Sequence, residues 1–95
     1  MIRVTGRLWL WSGEGGQWHF VTIPEELAGE LRATSLIQKR GFGSVRVEAR
    51  IGEVSWLTSV FPQKSGGYIL PLKADVRRRA GVAAGDDVTL TLDIL

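Results

Sequence analysis

Gly66-Gly67-Tyr68-Ile69-Leu70-Pro71, then Leu72 to Gly81, then Gly85-Asp86-Asp87 and Val88 to Leu95 decide the fold class. Tyr68-Ile69-Leu70 is apolar and β-favouring. Pro71 fixes φ and lacks an N–H that a first helical turn would leave unpaired, so it is expected to open a helix. Ala74, Asp75 and Arg77 to Ala80 suit two helical turns, and Gly81 suits the left-handed position just past them. Gly85-Asp86 can form a tight turn. Val88, Leu90, Leu92 and Ile94 then recur at period two, which marks a strand with one buried face. A one-residue slip at the turn would send all four apolar side chains to solvent, so the turn must hold the register, and Gly85 is expected there at positive φ or in another conformation unfavourable for valine.

Similar punctuation runs backward through the chain. Ile2, Val4, Leu8 and Leu10 alternate with Arg3, Thr5, Arg7, Trp9 and Trp11, so residues 2 to 11 form a strand. Ser12-Gly13-Glu14-Gly15-Gly16 reads as a long hairpin loop leading to a second strand, Trp18 to Ile23. Pro24 opens a helix through about Ala33, with Glu25 and Glu26 at its positive end and Leu27 and Leu31 as its apolar stripe. Leu36, Ile37 and Phe42 are expected to tuck the following segment against the body. Ser44 to Ile51 alternates again, Gly52-Glu53 makes a two-residue turn, and Val54 to Phe61 carries apolar residues on both faces. That pattern predicts a strand buried on both sides, with Trp56 in the core. Strand–proline–helix occurs twice, at Trp18 to Pro24 and at Gly67 to Pro71, about half the chain apart.

Ninety-five residues make one domain, 1–95, that hides about 60–65% of its extended-chain surface. Without cysteine it has no disulfide and no thiolate metal site, and without an apolar run of eighteen it has no membrane helix. The expectation is a cytoplasmic protein. Twelve basic against ten acidic side chains give a net charge of +2, a balance that permits a nucleic-acid partner without indicating one.

The ordered motifs Trp18-His19-Phe20-Val21-Thr22-Ile23-Pro24, Gly43-Ser44-Val45-Arg46-Val47, Pro62…Gly66-Gly67-Tyr68-Ile69-Leu70-Pro71-Leu72-Lys73 and Gly85-Asp86-Asp87-Val88 resemble a small prokaryotic family, the domain of unknown function numbered nineteen-oh-five. Its members stand alone or precede a bacteriocin-protection-type segment. The resemblance spans the chain and implies a closed, six-stranded, double-split β-barrel with two short helices and two pseudo-symmetric strand–proline–helix halves. It implies no activity. The closing stretch alone is also similar to the swapped-hairpin half-barrel of transition-state regulators and antitoxins, which bind DNA as dimers; this chain carries both halves itself.

Few residues offer chemistry. His19 is the single histidine, and alternation sets it opposite Trp18 and Phe20; a general base would need a partner such as Ser12 or Asp93, which the sequence does not bring to it. Acidic residues are scattered over a helix surface and a turn, and the glycine loop lacks the Lys-Ser/Thr of a phosphate cradle. No catalytic residue, cofactor or metal is expected. Trp9 and Trp11 share a face with Arg3 and Arg7, an aromatic–arginine combination enriched at binding hot spots, unless helices cover it. Lys39, Arg40, Lys73, Arg77 and Arg78 are candidate phosphate contacts, although the successive arginines of a helix point in different directions. The leading expectation is a non-enzymatic bacterial module, monomer or weak homodimer, binding a protein or a small ligand away from membranes. A nucleic-acid-binding barrel is the second reading, and a small enzyme using His19 the third.

Overall fold

A computed structural model describes residues 1–39 and 41–95. Its elements are β1 (Ile2–Gly13), β2 (Gly16–Ile23), a 3₁₀ turn (Glu25–Leu27), α1 (Gly29–Gln38), a second 3₁₀ turn (Gly41–Gly43), β3 (Val45–Ile51), β4 (Val54–Pro62), β5 (Tyr68–Pro71), α2 (Ala74–Ala80) and β6 (Asp87–Ile94). The six strands close into an antiparallel barrel in the order β1-β2-β5-β4-β3-β6. Exchanging β1 with β4, β2 with β5 and β3 with β6 leaves that ring unchanged. The repeated strand–proline–helix pattern is therefore the signature of two equivalent halves.

Long strands serve two neighbours in turn, which splits the barrel wall. Residues 2–7 of β1 pair with β6, and residues 8–13 pair with β2. Likewise β4 pairs with β3 over Val54 to Val60 and with β5 only at Phe61 and Pro62. Inward alternation fills the interior with Val4, Leu8, Val21, Ile23, Val45, Val47, Ala49, Val60, Tyr68, Leu70, Val88, Leu90 and Leu92, and no charged side chain is buried among the described residues. Ala28 and Leu31 of the first helical segment and Leu72 and Val76 of the second complete this core.

Several local expectations change. The hairpin loop between β1 and β2 shrinks to Glu14-Gly15, because β1 continues through Ser12 and Gly13 and Gly13 stands opposite Gly16. Pro24 precedes a 3₁₀ turn rather than an α-helix, which leaves Leu27 exposed and buries Ala28 instead. The helix proper runs on to Gln38, and Leu36 and Ile37 lie exposed, as does Phe42. They fall five and six residues after Leu31, off its face in a turn of 3.6 residues. Pro71 ends β5 rather than opening α2, whose N-cap is Lys73. Strand β4 is buried on one side only: Leu57 and Phe61 point outward and are exposed, and Trp56 is partly buried against the core.

Two glycine sites fix the geometry. Gly67 adopts φ +74°, and a Cβ there would run into the Ile23 carbonyl oxygen. This close approach lets its N–H donate to Glu25 Oε1 (2.7 Å), a carboxylate that also accepts from Arg32 Nε (3.0 Å) and Nη2 (2.6 Å). Glu25 thus ties the turn before α1, α1 itself and the β4–β5 loop together. The guanidinium of Arg32 also lies 4.9 Å from the Tyr68 ring centroid. The second site is Gly85, at φ +95°. It is third in the turn Ala83–Asp86, closed by Asp86 N–H to the Ala83 carbonyl (3.0 Å), a position that needs positive φ in a type II turn. Gly85 N–H donates to the Leu8 carbonyl (2.8 Å) and Leu8 N–H to the Asp86 carbonyl (2.9 Å). Two residues therefore oppose one, as in a β-bulge, and the bulge sits where β1 passes from β6 to β2.

Two expectations follow for stability. Gly85→Val forces a β-branched residue into left-handed backbone, although no atom crowds the site; it should cost about 1–3 kcal/mol. A thermal melt should show a fall of roughly 4–8 °C per kcal/mol for a domain this small, and an unchanged Tm would refute the strain. Hydrogen bonds from Arg32 and then from Gly67 N–H hold the Glu25 carboxyl well down, at about 2 against its ordinary 4.5. A lowered acid contributes stability that is complete above about pH 4.5 and disappears as pH falls through about 2. Denaturant midpoints should show parent and Glu25→Gln converging over that window; a constant gap would mean that ionisation is irrelevant to the clamp.

Candidate binding cleft

β5 is four residues long, whereas its neighbours β2 and β4 have eight and nine. Ile69 pairs with Thr22 on one side and Phe61 on the other, so the wall is continuous there. Beyond Pro71 the chain leaves the sheet for α2, which lies against β4. The first half of β2 and most of β4 therefore part without a strand between them. The resulting cleft encloses about 1100 Å³.

Its walls are aromatic. Across the β1–β2 hairpin Trp9 stands opposite Phe20 and Trp11 opposite Trp18, all four on the outer face. Trp9 and Phe20 rings lie 5.1 Å apart at 44°, and Trp9 Nε1 donates to Thr22 Oγ1 (2.9 Å), which fixes the indole. The Trp11 ring folds back over Gly13, where any Cβ would collide with it. Trp11 and Trp18 are 47% and 51% exposed, so neither helix covers them. Trp56, Leu57 and Phe61 of β4 form the opposite wall, and Leu72 and Val76 contribute to the base.

Neutral polar side chains (Gln17, Thr58, Ser59 and Gln63) line the cleft too, and its charged groups are mostly cationic. Arg46, Lys73 and Arg77 line the cleft with one carboxylate, Asp75. Arg77 Nη1 donates to the Leu72 carbonyl (2.7 Å), which anchors that guanidinium at the end of β5. His19 also lines the cleft, on the inward side of β2 opposite Leu10. Its partial burial, and secondarily the charge of Arg77, push its pKa below the ordinary value, so the imidazole is neutral at pH 7. It has no side-chain hydrogen bond to Ser12 or Asp93: Ser12 stands opposite Gln17, and Asp93 opposite Glu48 on the far side. Among the described residues no group of three acidic or imidazole side chains could hold a metal ion.

Of the residues singled out from the sequence, Trp9, Trp11, Lys73 and Arg77 converge on the cleft. Arg3 and Arg7 lie on the outer face of the earlier part of β1, outside it, with Arg7 opposite Asp87. Lys39 closes α1 in left-handed conformation at φ 51°, Arg78 is exposed outside the cleft, and Arg40 lies outside the described residues. Trp18, Leu57 and Phe61 were not anticipated. A signal existed for Trp18: it follows Gly15 by three residues as Trp11 precedes Glu14 by three, so a two-residue turn pairs them.

Fold and cleft together define a mainly-β class: a closed six-stranded antiparallel barrel with one aromatic side cleft. The chain belongs to the family described as a domain of unknown function (DUF1905), whose model matches residues 5–92. Comparison with curated proteins gives no match. Among the described residues no helix is long and apolar enough to cross a membrane.

Because Trp11 and Trp18 are half exposed, Trp11→Ala and Trp18→Ala should each lower stability by less than about 1 kcal/mol, whereas Leu8→Ala should cost about 2–5 kcal/mol. Urea denaturation of the three variants checks this. A loss above about 2 kcal/mol for Trp18 would make the aromatic wall part of the core.

Proposed function

We propose that the protein is a non-enzymatic binding module and that its binding site is the aromatic cleft beyond the end of β5. One observation carries the reading: Trp11 and Trp18 are paired across a hairpin, half exposed, and aimed into a concave site. Large exposed aromatics cost solubility and contribute little to stability, but they are the side chains that dominate binding energy when a ligand desolvates them. The fixed indole of Trp9 and the apolar face of Leu57 and Phe61 make the site largely pre-formed, which reduces the ordering cost of binding.

The alternatives have less support. An enzyme using His19 would need a group to orient the imidazole, and the side chain has no hydrogen-bonded partner among the described residues. A nucleic-acid surface would gather its cations on one face. Here Arg3 and Arg7, and Lys39, lie apart from the three cations of the cleft, Arg46, Lys73 and Arg77.

A fragment library screened by ¹⁵N-resolved NMR tests the reading. Bound fragments should shift the indole N–H signals of Trp11 and Trp18 and the amides of Leu57 and Phe61. Trp18→Ala should weaken those fragments at least ten-fold with the fold intact. Hits scattered over the barrel with none in the cleft would overturn it.

A further inference from the structure

We infer that the natural occupant of this cleft is an extended, acidic peptide segment of a partner protein, which adds as a strand between β2 and β4. The inference rests on the cleft being the binding site and goes on to name what fills it.

The cleft takes in strand edges as well as the outer sheet face. Trp56, Leu57, Thr58 and Ser59 all line it, and so do Gln17, Trp18, His19 and Phe20. Successive residues of a strand point to opposite faces, so four in a row can border one space only along the edge. Where β5 ends, β2 and β4 stand two ladder spacings apart, roughly 10 Å; Leu72 takes the first position of that lane, opposite His19, and the room for one strand lies beyond it.

Backbone polarity makes the same point. In an antiparallel strand, the N–H and C=O of one residue point to one side, and the side alternates along the chain. Gln63 N–H donates toward Gly67 (3.0 Å), so Phe61, Ser59 and Leu57 direct their backbone groups to the β5 side. The His19 carbonyl accepts from Leu72 N–H (2.9 Å), so His19 and Gln17 direct theirs to the same lane. His19 N–H and both backbone groups of Gln17 and Leu57 have no backbone partner among the described residues. Nor does the Ser59 carbonyl, because the residue that continues the ladder opposite it is Pro71, which has no N–H. Free edges are usually guarded by lysine, proline or inward-pointing charge. These carry Gln, Trp, Leu and Ser instead.

The occupant's chemistry follows from size and charge. About 1100 Å³ is large enough for an extended segment and stands at the upper end of the roughly 300–1,000 Å³ of ordinary small-molecule sites. Three cations, Arg46, Lys73 and Arg77, face one carboxylate, Asp75, which favours an acidic segment. A lane with two edges admits a single strand and excludes the edge of a second folded sheet, so a free segment fits and another barrel does not. Binding of this kind takes affinity from main-chain hydrogen bonds and specificity from pockets for alternate side chains, here the tryptophan wall on one face.

Selection from a phage-displayed library of random decapeptides on the full chain tests the inference. Enriched peptides should alternate apolar residues and carry Asp or Glu. Leu57→Pro and Gln17→Pro each remove one lane-facing N–H, one per edge, and spare the ladders to β3 and β1. Both should weaken a selected synthetic peptide at least ten-fold. Because a proline variant can unfold, the same peptide is also N-methylated at each central residue in turn. A strand paired on both sides loses at least ten-fold at every one of those positions. Sensitivity at alternate positions only, or at none, overturns two-edged insertion. Enrichment of basic peptides, or of none, also overturns the proposal. So does a concentration-dependent dimer, seen by sedimentation, that Leu57→Pro dissolves. Fragment hits at Trp11 and Trp18 would in those cases leave the cleft as the binding site and remove only the strand.

Discussion

Backbone groups buried inside a sheet need partners, and in this barrel the strand that supplies them between β2 and β4, β5, is the shortest of the six. It pairs with β2 over four residues and with β4 over two, and it closes the ring. Proline ends it without an N–H to offer β4, and the chain then turns into α2. Closure at one level and separation at the next are thus consequences of a single strand's length. The aromatic wall borders the same opening, since Trp11 and Trp18 stand on the outer face of the hairpin beside it.

The pseudo-two-fold arrangement sharpens this account. In the first half, β2 also ends at a proline, and the 3₁₀ turn with ten-residue α1 follows, burying Ala28 and Leu31 completely. Beside this segment lies only a shallow depression of about 350 Å³, at Ile2, Arg3, Glu26 and Leu27. In the second half, α2 has seven residues and buries Val76. The Glu25 carboxylate, bound to Arg32 and Gly67, reinforces the α1 side. No such clamp joins α2 to β4 among the described residues, where Arg77 bonds only the Leu72 carbonyl beside its own helix.

An interior of aliphatic residues without buried charge makes strand closure energetically straightforward: each inward Val, Ile or Leu contributes about 1.5–3 kcal/mol on burial. Tyr68 is the exception in kind. Its ring is fully buried, and its hydroxyl has no hydrogen-bond partner among the described residues. The Arg32 guanidinium over its face ties the ring to the clamp around Glu25.

Much of the fold was legible from local chemistry. Period-two alternation identified the inward faces of β1, β3 and β6, the glycines at 52 and 85 marked true turns with positive φ, and the double strand–proline–helix pattern announced two halves. Those features are set by steric limits on a few neighbouring residues, which any sequence carries openly. Reading failed where burial depends on another part of the chain. Trp56, Leu57 and Phe61 read as a doubly buried strand because an apolar run does not say what covers it; Leu36 and Ile37 read as tucked in for the same reason. Trp9 and Trp11 were found, but not their partner Trp18, whose pairing turned on a loop two residues long rather than five. The sequence by itself determined which side chains share a face. Only the tertiary structure decided that β2 and β4, some forty residues apart, would flank a strand too short to join them along their length, because ladder pairing between distant segments leaves no periodic trace in either one.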